Sequence, residues 1–203
     1  MDDSSDRDDA LLARSREGDS RALAMLYRRH ASSLLEYLTR LVGEPSDAED
    51  LLQETFLTIM ERRGSYSARG RFRPWLFTVA RHLAVDRLRR RRRGLDLAED
   101  DLDFLVSPRS IDPTETISFQ ELTGQIDSAL LDLPPSYALA FHLRVRESFS
   151  YREIAMIHGE PEGTLRSRVH HALRKVREFL DSDRTFTESS GPGCSGVTQE
   201  KQR

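Results

Sequence analysis

A chain of 203 residues with 37% hydrophobic and 32% charged residues has room for one or two modest cores. No stretch of it reaches the roughly 20 consecutive apolar residues that a membrane-spanning helix needs, which excludes membrane insertion. A single cysteine, Cys194, excludes an intrachain disulfide and a cysteine-built metal site, and the formal net charge of −3 conceals a strong segregation of acids from arginines along the chain.

The start, Met1-Asp2-Asp3-Ser4-Ser5-Asp6, is the reverse of a basic signal-peptide start, so a cytoplasmic location is expected. Residues 1–10 read as a flexible acidic lead without chemistry of its own. Leu11 to Glu17 supports a short helix ended by Gly18. Asp19 or Ser20 then caps a longer one that carries Ala22, Leu23, Leu26, Tyr27, Leu34, Leu35, Leu38, Leu41 and Val42 until Gly43 and Pro45 stop it.

Ser46 is the expected N-cap of the next helix, with Asp47 and Glu49 suiting the positive end of its dipole. Ala48, Leu51, Leu52, Thr55, Phe56 and Ile59 share one face at helical spacing and read as core. The opposite face presents Asp50, Gln53, Glu54 and Glu61 with Leu57 and Met60 among them. Apolar residues on an otherwise charged face suggest a docking surface. A further helix begins near Phe72, with Phe72, Trp75, Leu76, Val79, Ala80 and Leu83 on its core side. From Arg62 to Arg93 there are twelve arginines against one acid, Asp86, a charge density that points to a polyanion, most plausibly nucleic acid. A small bundle over residues 11–93 follows.

Residues 94–118 invert the charge: Asp96, Glu99, Asp100, Asp101, Asp103, Asp112 and Glu115 face only Arg109, with prolines at 108 and 113. This composition is that of an acidic, extended linker. A second helical unit is expected over residues 119–180. Leu133-Pro134-Pro135 opens one helix, Ser150-Tyr151-Arg152-Glu153 forms a capping box, Gly159 ends that helix and Pro161-Glu162-Gly163-Thr164 opens the last. This is helix-turn-helix grammar. In the last helix Leu165, Val169, Ala172, Leu173, Val176 and Leu180 form the inner face. Arg166, Ser167, His170, Arg174 and Arg177 point outward, and Arg168, His171 and Lys175 lie on a flank, as for a helix laid in the DNA major groove. Residues 181–203 read as a disordered polar tail. The fold class is all-α, two helical domains joined by the linker, with no strand pattern.

Asp47-Ala48-Glu49-Asp50-Leu51-Leu52-Gln53-Glu54-Thr55-Phe56, followed by Phe72-Arg73-Pro74-Trp75-Leu76 and the arginine-rich helix, resembles region two of the extracytoplasmic-function class of bacterial sigma factors. Leu133-Pro134-Pro135, Ser150-Tyr151-Arg152-Glu153-Ile154-Ala155 and Pro161-Glu162-Gly163-Thr164-Leu165-Arg166-Ser167-Arg168 resemble region four of the same class. The resemblance implies that Asp50, Gln53, Glu54, Leu57 and Met60 meet the beta-prime clamp helices of core RNA polymerase. It implies that Tyr66 through Gly70 form a loop receiving an unstacked base of the minus-ten element. Tyr66, Arg69, Arg71, Arg81, His82, Arg89 and Arg90 would then engage promoter DNA there, and Arg166, Ser167, Arg168, His170, His171 and Arg174 would do so at the minus-thirty-five element, with the second unit also meeting the beta flap. His82 stands where the family often has asparagine, and His171 where it usually has arginine. An anti-sigma protein is a further implied partner.

No phosphate-binding glycine loop, nucleophile motif or metal-ligand spacing is present in the sequence, so no enzyme activity, catalytic residue, metal or cofactor is expected. Two other readings compete: a stand-alone helix-turn-helix regulator, which has no need of the acidic face, and a nuclease using Asp47, Glu49, Asp50 and Glu54 as metal-binding acids.

Overall fold

The computed structural model of the chain describes residues 3–67, 71–93 and 119–189, and every regular element among them is helical. The order is α1 (Asp3–Arg16), α2 (Ser20–Val42), α3 (Pro45–Arg62), α4 (Phe72–Arg93), α5 (Phe119–Leu131), α6 (Pro135–Phe141) running into a π turn (His142–Arg146), α7 (Tyr151–His158) and α8 (Glu162–Ser189).

Local chemistry explains most of the boundaries. Asp19 caps α2, accepting from the backbone N–H groups of Arg21 at 3.0 Å and Ala22 at 3.2 Å, and the Arg14 guanidinium holds its carboxyl below the usual range. Gly43 ends α2 in the left-handed region at φ 74. The capping box of α7 is complete, Ser150 and Glu153 each accepting from the other's backbone N–H. Three expectations are corrected. Glu44, not Ser46, occupies the N-cap of α3 and makes no side-chain cap bond, because Pro45 in the first position has its φ preset and no N–H to satisfy. The lead is helical from Asp3, since α1 is anchored where Asp8, almost fully buried, accepts from Arg29 and pairs with His30 at 2.7 Å. At the other end α8 continues to Ser189, past the tail boundary expected at 181. The linker at 94–118 and the tail from 190 lie outside the described residues.

Leu26, Leu34, Tyr37, Leu38 and Leu41 of α2, Leu51 and Ile59 of α3, and Phe72, Leu76 and Phe77 of α4 are fully buried. His30 and Tyr37, polar by type, are inside with them. A second cluster joins Ala129, Leu130, Leu133, Phe141, Ala172 and Val176. Leu173, expected on the inner face of the last helix, is exposed, because it lies past the edge of the stripe that meets α5 and α6.

The two units share a core. Phe149, Ile154, Ile157, Leu165 and Val169 belong to the same continuous cluster as the first bundle, α4 packs on α7, and Phe77 meets Phe149 edge-on at 5.1 Å. Ser148, with φ 57, turns the chain after the π turn so that Glu147 and Phe149 both reach α4. The Glu147 carboxylate, its side chain 6% exposed, is paired with Arg73 and accepts from the Ser33 hydroxyl at 2.8 Å. Arg73 also donates to the Glu147 carbonyl at 2.6 Å and lies over the Phe149 ring. Beside this, Glu36 of α2 accepts from Arg146 at 3.0 Å, and Arg40 donates to Asp127 of α5 at 3.1 Å. A buried pair adds little net stability over apolar packing, but removing one partner strands the other.

His142 lies inside this joint, against Tyr37, with Glu36 and Glu147 at 3.7 and 3.6 Å from its two ring nitrogens. Burial, and then the charges of Arg40, Arg146 and Arg73, push its pKa well below 6.5 despite the carboxylates; the ring is neutral and the two short approaches are not ion pairs. His158, buried on α7, is shifted the same way, chiefly by burial.

Two outcomes follow from the joint. Glu147→Ala is expected to shift the equilibrium toward parted units by about 3 kcal/mol, as for a broken buried pair, read as a larger hydrodynamic radius at unchanged helix content. Unchanged radius with lost helix would instead place Glu147 in the folding of the second unit alone. When the units part, His142 and His158 regain ordinary basicity, so below about pH 6.5 the parted state binds more protons and acidification loosens the joint. Scattering or sedimentation between pH 7.5 and 5.5 should show expansion that the double variant His142→Gln, His158→Gln lacks.

Candidate nucleic-acid interface and docking face

On α3 the expected docking residues emerge together. Asp50 is 70% exposed at its side chain, Leu57 and Met60 are 59% and 39% exposed, Gln53 is exposed and Glu54 partly so. The inner face, Ala48, Leu51, Leu52, Thr55, Phe56 and Ile59, is buried. The acids are not unanswered. Arg87 of α4 donates to Glu54 at 3.0 Å and approaches Asp50 and Asp47 at 3.7 Å, and Arg91 pairs with Asp47 at 2.5 Å. Two of the twelve arginines are thus used to join α3 to α4. The clue was the four-residue spacing of Arg87 and Arg91, which puts both on one helix face. The same pairing tells against the nuclease reading, since three of the four acids proposed as metal ligands, Asp47, Asp50 and Glu54, face arginine side chains.

Along α4, His82, Arg89 and Arg90 are exposed, while Arg81 is only 8% exposed. Arg81 lies on the face of α4 turned toward α7, close enough for its charge to bear on His158 and on Tyr37. Before α4, Tyr66 packs tilted against Trp75 with ring centroids 4.7 Å apart. Its hydroxyl donates to Asp9 at 2.9 Å and accepts from the Arg71 backbone at 3.2 Å. Burial first, and then Asp9, raise its pKa. Arg71 is exposed; Arg69 lies outside the described residues.

On α8 the outward residues Arg166, Ser167, His170, Arg174 and Arg177 are all exposed, as is His171 on the flank. Gly159 at φ 71 makes the turn that feeds this helix. Arg166 lies over the Tyr151 ring at 5.1 Å, which steadies its long side chain without burying the guanidinium. The flank behaves differently. Arg168 is paired with Glu160 at 2.8 Å and lies over Tyr137, and the nearby His158 ring, then Arg168, hold the Glu160 carboxyl down to about 2. His171 meets Tyr137 edge-on at 5.4 Å and its Nδ1 accepts from Arg174 at 3.1 Å. Arg168 and His171 therefore face the α6 side, and Arg166, Ser167 and His170 the open side.

One arrangement was invisible in the spacing of the histidines: Glu36, His142 and Glu147 bring three ligand atoms within 4.8 Å. It suits a cation poorly. The carboxylates approach opposite ring nitrogens, and each is already neutralised by an arginine. Among the described residues no helix is long and apolar enough to cross a membrane.

Residues 26–94 match the Sigma-70 region 2 family and residues 123–176 the Sigma-70, region 4 family. The RNA polymerase sigma factor CarQ of Myxococcus xanthus is 36% identical over 169 residues, spanning 83% of this chain and 95% of that one. The ECF RNA polymerase sigma-E factor of Haemophilus influenzae is 33% identical, spanning 85% and 95%. Two solved structures share the fold: the sigma factor RpoE in complex with the anti-sigma factor NepR from Bartonella quintana (TM-score 0.61, 24% identity, 79% and 97% of the two chains) and CnrH in complex with the cytosolic domain of CnrY (TM-score 0.60, 23% identity, 88% and 99%). With both regions matched in order, and with relatives of this identity covered almost end to end, the chain belongs to the ECF class of RNA polymerase sigma factors.

Proposed function

We propose that this chain acts as a subunit rather than an enzyme, docking on core RNA polymerase in the cytoplasm through Asp50, Gln53, Glu54, Leu57 and Met60. The observation that carries this is the coexistence on α3 of exposed acids and exposed Leu57 and Met60, a face that a stand-alone DNA binder does not require. Tyr66, Arg69, Arg71, His82, Arg89 and Arg90 serve the minus-ten element. Arg166, Ser167, His170 and Arg174 serve the minus-thirty-five element, with Arg168 and His171 setting the flank of that helix. Arg81 joins the first group only when α7 leaves α4. The closed arrangement is accordingly a resting one, and engagement with polymerase and promoter parts the two units. An anti-sigma protein is a fitting regulator, because a partner that favours the closed arrangement withholds Arg81 without touching it.

Asp50→Lys is expected to abolish assembly with core polymerase, measured by co-migration on gel filtration, while costing at most about 1 kcal/mol of stability, since its contact with Arg87 is long and exposed. Assembly at unchanged affinity contradicts the docking face. Arg166→Ala should weaken binding to the preferred minus-thirty-five sequence by about 1–3 kcal/mol and relax discrimination at one base position, whereas loss of a phosphate contact lowers affinity for all sequences alike. Competition binding across a set of single-base substitutions separates the two.

A further inference from the structure

Residues before Leu11 carry no motif, yet α1 makes specific contacts with the stretch that leads into α4. Asp8 fixes α1 to α2 through Arg29 and His30. The next residue, Asp9, accepts the Tyr66 hydroxyl at 2.9 Å. Two turns further along α1, Arg16 donates to the backbone carbonyls of Arg63 and Tyr66 and lies 6.0 Å from the Tyr66 ring centroid. Tyr66 is held from four sides: Asp9 and the Arg71 backbone at its hydroxyl, Arg16 at its carbonyl, and Trp75 tilted against its ring. Most exposed loops lack such anchoring. A side chain fixed at both ends has little rotamer entropy left to lose when a ligand arrives, which is the physical content of preorganisation.

We propose that Asp9 and Arg16 are positioning residues for promoter opening: α1 holds Tyr66 against Trp75, so that the segment 63–67 presents a preformed aromatic platform to a base leaving the DNA stack. This rests on the reading of Tyr66 as a minus-ten contact. Aromatic faces bind single-stranded bases by stacking, irrespective of sequence, and a base is captured faster by a platform already in place than by one that must be ordered at each encounter. Asp9 and Arg16 touch no DNA in this account; they act through Tyr66.

The test uses holoenzyme assembled on core polymerase and a promoter selected from a random library by the unmodified holoenzyme, with 2-aminopurine in the minus-ten element to report unstacking. Asp9→Ala and Arg16→Ala should each slow unstacking about tenfold, the scale of one charge-assisted hydrogen bond, with assembly and duplex binding unchanged. Asp9→Asn, which keeps an acceptor, should restore most of the rate. Trp75, the single tryptophan, supplies an independent reading, because its fluorescence changes when Tyr66 moves off its ring. Tyr66→Phe removes the same hydroxyl without touching α1 and should reproduce Asp9→Ala even if the α1 variants fold poorly. If these variants alter Trp75 fluorescence but leave the unstacking rate as it was, while Tyr66→Ala slows it, α1 has no positioning role. If Tyr66→Ala leaves the rate unchanged, the minus-ten assignment of Tyr66 is itself wrong and the proposal falls with it.

Discussion

The ion pair of Glu147 with Arg73 is the contact on which the arrangement of the molecule depends. A carboxylate with a 6% exposed side chain is stable only if its charge is met, and Arg73 and the Ser33 hydroxyl supply that compensation from the opposite unit, beside the Arg146–Glu36 and Arg40–Asp127 pairs that cross the same joint. Such a network adds little net stability, because desolvation consumes most of the Coulomb gain. What it does provide is a defined register: Glu147 has one place to go, and going there sets Phe149 on Phe77 and α7 on α4. The buried neutral His142 makes that register sensitive to acid, and the burial of Arg81 makes it matter for function.

The charge of the chain is apportioned by the same logic. The acids of α3 look outward on the proposed docking face, yet Arg87 and Arg91 reach across to them from α4, so the arginine-rich helix and the acidic helix are held together by pairs exposed enough to exchange partners. A surface pair of this kind is worth at most about 1 kcal/mol, a sum that binding to another charged surface readily replaces. The arginines at 89 and 90 on α4 and at 166 on α8 are exposed and are among those proposed to meet the nucleic acid.

Much of this was legible in the chain. The inner face of α3, the start of α4 at Phe72, the Pro135 entry to α6, the Ser150 to Glu153 capping box and the Gly159 turn are local signals, each set by a few neighbouring residues, and each appears where the sequence reading put it. The outward side of α8 was readable from its 3.6-residue period, with Leu173 the exception. The long-range contacts were not readable. Glu147 sits in an unremarkable polar stretch, and only the π turn and the left-handed Ser148 bring it to Arg73, 74 residues earlier. His30, Tyr37 and His142 are polar by type and buried by context. Asp8 and Asp9 looked like part of a solvated acidic run, because charge composition alone cannot reveal that two of its members have partners on α2 and beside α4.

The claim that carries the account is that the two units are closed in the free protein and part on engagement. It is tested most directly by spin labels at Ser32→Cys on α2 and Arg152→Cys on α7, in a Cys194→Ser background, with the distance between them measured by double electron–electron resonance. The account predicts one short, narrow distribution in the free protein and a longer one in the complex with core polymerase and promoter DNA. The same short distance in both would contradict it, since Arg81 would then remain covered by α7 while transcription starts.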